Sequence, residues 1–340
     1  MSVATSAGRR DRTATAVAFT APRRVELVEV DLPAPADGEV LVHTEWSGIS
    51  GGTEMLAYRG EVDAAWPLDE AIGALGGTFA FPFRYGYSCV GRVERSRASL
   101  AEGRRVFAFH PHQDAFVVPA ADVVPVDDLD PRRATLLPLV ETALQAVLDA
   151  GSVLGEAVVV TGLGSVGLLV AVLLQRAGAR VVAAEPSGDR RAVAADLGVA
   201  AVVPGELAAA LDDVAPAGVP LLVEASGRPE TLRAGLTHLA HEGEALVVSW
   251  YGTKEATLPL GAEFHRRRLR IRSTQVSTIP AAQAGRWTVA RRRAVARDLL
   301  AELRLDPLAT HAFAFADAAA AFAAVDEGAA GLVHAALWYM

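Results

Sequence analysis

Residues Ala157 to Gly178 read AVVVTGLGSVGLLVAVLLQRAG. The run Ala157 to Thr161 has the length and β-branched content of a buried strand, and it stops at Gly162-Leu-Gly164-Ser-Val-Gly167, where strand gives way to helix. At this spacing Gly162 permits the tight turn, Gly164 lets the backbone come close to a pyrophosphate, and Gly167 lets the helix pack closely on the sheet. The N-terminus of the helix then supplies amide donors to the phosphates, and Ser165 and Val166 are counted among the expected cofactor-binding residues. The helix is expected from Leu168 to Ala177, with Gly178 as its stop.

Three glycines at these positions also occur in plain turns, so the surroundings decide. A second valine-rich run, Arg180 to Ala184, ends in Glu185, 23 positions beyond Gly162, where an acidic residue takes the adenosine ribose hydroxyls. The reading is dinucleotide binding with NAD(H) preferred, because a carboxylate there repels a 2′-phosphate. Arg190 and Arg191, just beyond, keep NADP(H) open.

Working outward, strands and helices alternate on the C-terminal side. Ser187 reads as the N-cap of a helix ended by Gly198. Strands are expected at Ala200–Val203, Leu221–Ala225, Ala245–Ser249 and Leu269–Ser273, with Pro229 in the first turn of a helix between them. Six such strands with intervening helices make an α/β fold, a doubly wound parallel sheet whose edge would carry Gly162, Glu185, Ser226 and Ser249, the edge at which ligands bind. On the N-terminal side the alternation across Val25, Leu27, Val28 and Val30 and the run Gly38 to Thr44 suggest an antiparallel β region. Pro131 to Asp149 reads as one or two amphipathic helices broken at Pro138. The tail is expected to be helical at Ala284–Leu303 and Phe315–Asp326 and extended from Leu332 to Trp338.

The chain has 340 residues, 51% of them hydrophobic and 21% charged, with a formal charge of −8. That is enough for two domains and places it among globular proteins. The net acidity argues against a nucleic-acid partner, because phosphate contacts need clustered Lys and Arg rather than an acidic surface. Arg266–Arg268 and Arg291–Arg293 are expected to be solvated helix faces or interface ion pairs. A single cysteine, Cys89, excludes a disulfide and a four-cysteine zinc lobe. The first fourteen residues lack the apolar core of a signal peptide and read as a frayed leader, and the longest apolar run, Val166 to Leu174, is too short to span a bilayer. A cytoplasmic protein with no membrane partner is expected.

Two stretches carry polar side chains suited to a cleft: Trp46-Ser-Gly-Ile-Ser50-Gly-Gly-Thr53-Glu54, and Tyr85-Gly-Tyr87-Ser88. His110-Pro-His112 offers two imidazoles two positions apart, read either as metal ligands, as part of a substrate cleft, or as loop residues.

Taken with Gly48-Ile49, Gly103-Arg-Arg-Val106, Thr142-Ala143, VEASG at 223–227 and LDPLATHAFAF at 305–315, the chain resembles the medium-chain dehydrogenase/reductase superfamily from about Val17 onward. The resemblance implies a GroES-like β-rich catalytic domain from residues 1–143 and 277–340, a Rossmann domain from 144–276, and nicotinamide in the cleft between. It implies Thr142, Ser226 and Ser249 around the nicotinamide, His334 near the pyrophosphate, and a homodimer paired through the strand Leu269–Ser273. Where zinc-dependent members have Gly-Ile-Cys and Gly-His-Glu, this chain has Gly48-Ile49-Ser50 and Gly86-Tyr87-Ser88, and Pro138 stands near a third ligand position. Serine, tyrosine and proline do not supply zinc's usual donors, so no zinc is expected. This pattern is similar to a branch grouped with bacteriochlorophyllide-processing dehydrogenases.

The expected activity is therefore zinc-independent hydride transfer between NAD(P) and a carbonyl or alcohol of a small organic substrate. Without a Lewis acid the developing alkoxide needs hydrogen-bond donors and a proton relay, for which Tyr87, Thr53 and His112 are the candidates, with Glu54 a candidate to orient one of them. Reduction of an activated C=C bond, and a dinucleotide-binding sensor without activity, remain as alternatives.

Overall fold

A computed structural model describes residues 12–340. The leader reading lies outside the described residues except at its end, where Arg12, Thr13 and Ala14 already belong to a strand.

Six parallel strands form one sheet in the order Ala201–Val202, Arg180–Ala184, Ala157–Thr161, Val219–Glu224, Leu239–Val247 and Arg270–Ser273. The order reverses beside Ala157–Thr161, so the glycine turn that follows this strand lies at the crevice where a doubly wound sheet takes its ligand. All five residues of Ala157–Thr161 are buried, as expected for the middle of a sheet covered on both faces. The following helix runs Ser165–Arg176, three residues earlier than its apolar run suggests, because Ser165, Val166 and Gly167 are themselves its first turn. Ser187 does cap the next helix, Gly188–Asp196, accepting the Arg190 amide at 3.4 Å.

The remaining strands are mostly antiparallel. A seven-stranded sheet is built on Glu39–Ile49, which pairs with Cys89–Ser96, with Ala115–Pro119 and with the tail strand Ala335–Trp338. The tail strand lies against Trp46–Ile49, Ala335 opposite Ile49, so the end of the chain returns to its first third. A smaller sheet of Arg12–Ala21, Arg24–Leu32 and Phe83–Arg84 completes this part.

The helical stretch after Pro131 divides into Pro131–Ala134 and Leu137–Ala150. The break falls before Pro138 rather than at it, because a proline in the first turn has no hydrogen bond to lose. Leu137–Ala150 packs on the glycine-turn helix and on Val289–Glu302. Within that last helix the expectation of a solvated arginine face fails at Arg292, which is 1% exposed. Its guanidinium donates to Glu141 Oε1 at 3.1 and 3.2 Å, to Gln145, and to the carbonyls of Val276 and Thr278. A charge so buried is kept only because nearly all its donors are matched. Its neighbours stack instead, Arg291 over Trp287 and Arg293 over Phe109. No described helix is long and apolar enough to cross a membrane.

Candidate active site

The crevice edge of the parallel sheet presents the glycine turn and the ends of three further strands. Gly162 has φ +86, and a Cβ there would stand 2.5 Å from Ser226 Cα; at Gly167 it would meet the Gly162 carbonyl oxygen at 1.9 Å. Those two glycines are demanded by the chain's own packing. Gly164 is different: a Cβ there would meet nothing within 4 Å, so its lack of a side chain leaves open space over the helix start. That space and the amides of Ser165 and Val166 are what a pyrophosphate requires.

Glu185 ends the second strand, 3% exposed, with Oε2 accepting the Leu163 amide at 2.7 Å and Oε1 the Ser187 amide at 2.9 Å. Its carboxylate is thereby held at the lip of the glycine turn. Arg191 is tied to the carbonyls of Glu185 and Pro186, both at 2.8 Å, whereas the Arg190 side chain makes no ion pair among the described residues. Ser226 is turned inward, its hydroxyl and amide both on the buried carboxylate of Glu224, whose other oxygen accepts the Tyr251 hydroxyl at 2.7 Å. Ser249 Oγ accepts the Gly227 amide at 2.8 Å. Thr142 donates to the Pro138 carbonyl one helical turn back, at 2.9 Å.

His334 does not act as a free basic group. It is buried against Gly48 and Thr135, its Nε2 3.2 Å from Thr135 Oγ1 and its Nδ1 unpartnered. Burial, aided by the charge of Arg132, pushes its pKa down to about 4, so it is a neutral imidazole at physiological pH. The segment around it nevertheless reaches the glycine turn: Ser165 Oγ donates to the Val333 carbonyl at 2.6 Å, and the Gly331 amide to Asp189 at 2.8 Å.

On the β-rich side, Gly52 turns the chain from the strand Glu39–Ile49 into the short helix Thr53–Arg59. Tyr87 lies beside this turn, and the hydroxyls of Ser50 and Thr53 stand next to its phenol. Burial first, and the charge of Glu54 second, push the Tyr87 pKa up, against the smaller opposing pull of those two hydroxyls. Tyr87 is thus a neutral O–H donor, half-buried, packed with Trp250 on one aromatic cluster. Trp250 follows Ser249 and stacks with Trp66, ring centroids 6.5 Å apart; Trp66 is 54% exposed.

The two histidines of His110-Pro-His112 part company. His110 stacks on Phe116, and its pKa falls to about 4, mainly through burial. His112 is fully buried, with Nε2 2.8 Å from Glu54 Oε2 and Nδ1 2.7 Å from Ser47 Oγ. Both of its ring nitrogens are thus engaged inside the protein, a place that suits a relay member better than a group in contact with substrate. Glu54, equally buried, likewise faces inward, accepting the Ser50 amide at 2.9 Å on Oε1. Cys89 is a core residue whose Sγ lies 3.3 Å from the carbonyls of His110 and Pro111. Ser47 and Tyr339, which complete this buried set, escaped sequence reasoning: a serine in a strand and a tyrosine in a tail carry no motif.

Of the positions compared with zinc ligands, Ser50 and Tyr87 carry hydroxyls and Pro138 has no side-chain donor, while the nearby Glu54–His112 pair is engaged with itself and Ser47. Among the described residues no group of three or more His, Cys, Asp or Glu is placed to hold a metal ion.

Residues 165–290 match the family model described as zinc-binding dehydrogenase. That stretch covers most of the parallel sheet and contains none of positions 50, 87 and 138. The 2-desacetyl-2-hydroxyethyl bacteriochlorophyllide A dehydrogenase of Cereibacter sphaeroides is 28% identical over 277 residues, 76% of this chain and 80% of that protein. Two solved structures share the fold over 96% of this chain and 99% of theirs, each with a TM-score of 0.76. One is described as a zinc-binding dehydrogenase of Sinorhizobium meliloti 1021 bound to NADP, 20% identical; the other is an alcohol dehydrogenase of Escherichia coli CFT073 complexed with NADH, 17% identical.

Proposed function

We propose that this chain, which belongs to the medium-chain dehydrogenase/reductase superfamily, is an NAD(P)-dependent dehydrogenase that works on an alcohol or ketone without catalytic zinc. The observation that carries the zinc-free part is what stands at positions 50, 87 and 138: where the resemblance has metal ligands, this chain has serine, tyrosine and proline. When bound, the nicotinamide supplies or takes up the hydride. Gly162, Gly164 and Gly167, with the amides of Ser165 and Val166, would hold its pyrophosphate, and Thr142, Ser226 and Ser249 would border its ring. Glu185 would accept the adenosine ribose hydroxyls.

Tyr87 then holds the reacting proton. In carbonyl reduction its O–H donates to the oxygen as negative charge develops there, and the Ser50 and Thr53 hydroxyls stabilise the phenolate left behind until solvent returns a proton. In alcohol oxidation the same proton runs the other way. A neutral donor aimed at developing charge in a dry site supplies much of what a Lewis acid otherwise would. The Trp66–Trp250 stack beside Tyr87 favours a substrate with an apolar body over a small polyol.

Glu185 favours NAD(H), and Arg190 is the residue that would serve NADP(H) if that preference is wrong; calorimetric titration with both decides, tighter NADPH binding refuting the preference. The division into 1–143 with 277–340 and 144–276, a cytoplasmic location and a homodimer through Leu269–Ser273 belong to the same proposal. Sedimentation showing only monomer at micromolar concentration would remove the dimer. The activity is tested with secondary alcohols, ketones and enones, alkyl and aryl, against both cofactors. Turnover of aryl alcohols or ketones is expected; turnover confined to enones, or cofactor binding with no turnover, would refute it.

A further inference from the structure

The buried set behind Tyr87 forms an unbroken line. The Ser50 amide donates to Glu54 Oε1 at 2.9 Å, Glu54 Oε2 meets His112 Nε2 at 2.8 Å, His112 Nδ1 meets Ser47 Oγ at 2.7 Å, and Ser47 Oγ meets the Tyr339 hydroxyl at 2.8 Å. Ser47, Glu54 and His112 are each 0% exposed, so no solvent intervenes to relax the pattern. The ring of His112 sits where only glycine allows it, since a Cβ on Gly86, which has φ +115, would lie 2.6 Å from His112 Cδ2. Its backbone is held as well, the carbonyl accepting the Val17 amide at 2.9 Å.

Donor counting gives the line a direction. A carboxylate only accepts, so His112 Nε2 must carry the hydrogen that faces Glu54. In a neutral imidazole the other nitrogen is then an acceptor, so the Ser47 hydroxyl must donate to Nδ1, and its oxygen is left to accept from the Tyr339 hydroxyl. Every hydrogen points toward Glu54. A line of aligned donors in a low-dielectric interior strengthens each link and stabilises the charge at its end.

We propose that Ser47 and Tyr339 are positioning residues, which occupy His112 Nδ1 and fix the ring so that its Nε2–H stays on Glu54, anchoring the Ser50–Thr53 turn beside Tyr87. This inference rests on the zinc-free reading for its effect on rate, but its statement about the His112 ring stands apart from it. Glu54 does two things for the site: it fixes the Ser50 amide, and its charge discourages Tyr87 from losing its proton before substrate arrives. Neither Ser47 nor Tyr339 touches the reacting atoms. Tyr339 reaches the line from the tail, its ring stacked on Phe315, so the return of the tail strand to Trp46–Ile49 is what brings the last donor into place.

The test is nitrogen-15 NMR of the histidine rings in the full-length protein, with His112→Asn as the assignment blank, alongside steady-state kinetics and cofactor titration. The native protein should show His112 as the Nε2–H tautomer. Ser47→Ala should shift the His112 Nδ1 signal, whose donor is lost, and lower kcat by about 10-fold, the scale of one buried hydrogen bond left unmade, with cofactor affinity unchanged. Ser47→Thr, which keeps the hydroxyl, should restore both. Tyr339→Phe should change the His112 signal in the same direction while keeping the ring stack, and it carries the test should Ser47→Ala fold poorly. A native His112 that is Nδ1–H or doubly protonated overturns the proposal, as do an unchanged His112 Nδ1 signal and unchanged kcat in both variants. Absence of turnover in the native protein counts against the dehydrogenase reading alone, because the ring signals still decide the positioning role.

Discussion

The two sides of the crevice are built in opposite ways. On the cofactor side the decisive groups come from one contiguous stretch: Gly162, Gly164, Ser165, Val166 and Gly167 lie within six residues, and Glu185 reaches back only to Leu163. On the Tyr87 side the buried line takes one residue each from positions 47, 54, 112 and 339. Local spacing fixes the first, and tertiary packing alone creates the second. The cofactor side should therefore break through backbone clashes, and the Tyr87 side through lost hydrogen bonds that leave the fold intact.

The largest effect is expected at Gly167. A methyl group there would stand 1.9 Å from the Gly162 carbonyl, which only a shift of the helix against the strand can relieve. Gly167→Ala should cost about 3 kcal/mol or more and abolish cofactor binding, as thermal unfolding and calorimetry would show. Native-like melting with native affinity would refute the account of that glycine.

Next comes Tyr87→Phe, which removes one donor and no packing. It should lower kcat by ~100-fold to 1000-fold while cofactor affinity stays within about 2-fold. Near-full turnover on a substrate that the native enzyme uses would remove Tyr87 from the chemistry.

Gly164→Ala isolates the cradle from the fold. Its methyl meets nothing within 4 Å in the protein itself, so the melting temperature should hold while cofactor affinity falls by about 10-fold or more. Equal affinity would mean that the pyrophosphate lies elsewhere.

The contrast explains what was legible in the sequence. The strand at Ala157–Thr161, the glycine turn, the Ser187 cap and the two strands that stop just before Glu185 and Ser226 follow from residue type and spacing. Helix limits were less legible, since Ser165-Val-Gly167 has no apolar face to reveal that it is already helical. His112 illustrates the harder case. A histidine after proline reads equally as a ligand, a cleft donor or a loop residue, and only the approach of Glu54 and Ser47 and the missing side chain of Gly86 decide among them. Arg292 is similar: three arginines in a row give no sign that the middle one is locked on Glu141 inside the protein.

A smaller effect sharpens the comparison at His334, which belongs to both sides through its contacts with Gly48 and the neighbouring Val333–Ser165 bond. Its pKa lies near 4 in the folded protein and near the ordinary 6.5 when unfolded, so the unfolded chain binds the extra proton first. Stability is then fully present above pH 6.5 and is lost as pH falls toward 4. By pH 5.5 this one histidine should account for about 1 kcal/mol of the loss. In urea titrations at pH 7.5 and 5.5, His334→Gln should lose correspondingly less than the native protein; an equal loss would mean that His334 is not held neutral.

Zinc content, measured on the same purified preparation whose cofactor-dependent turnover is recorded before and after chelation, tests the central claim most directly. The account predicts well below roughly 0.1 zinc per chain and a rate that chelation leaves unchanged. Roughly one zinc per chain, with activity lost on its removal and regained on its return, would contradict it.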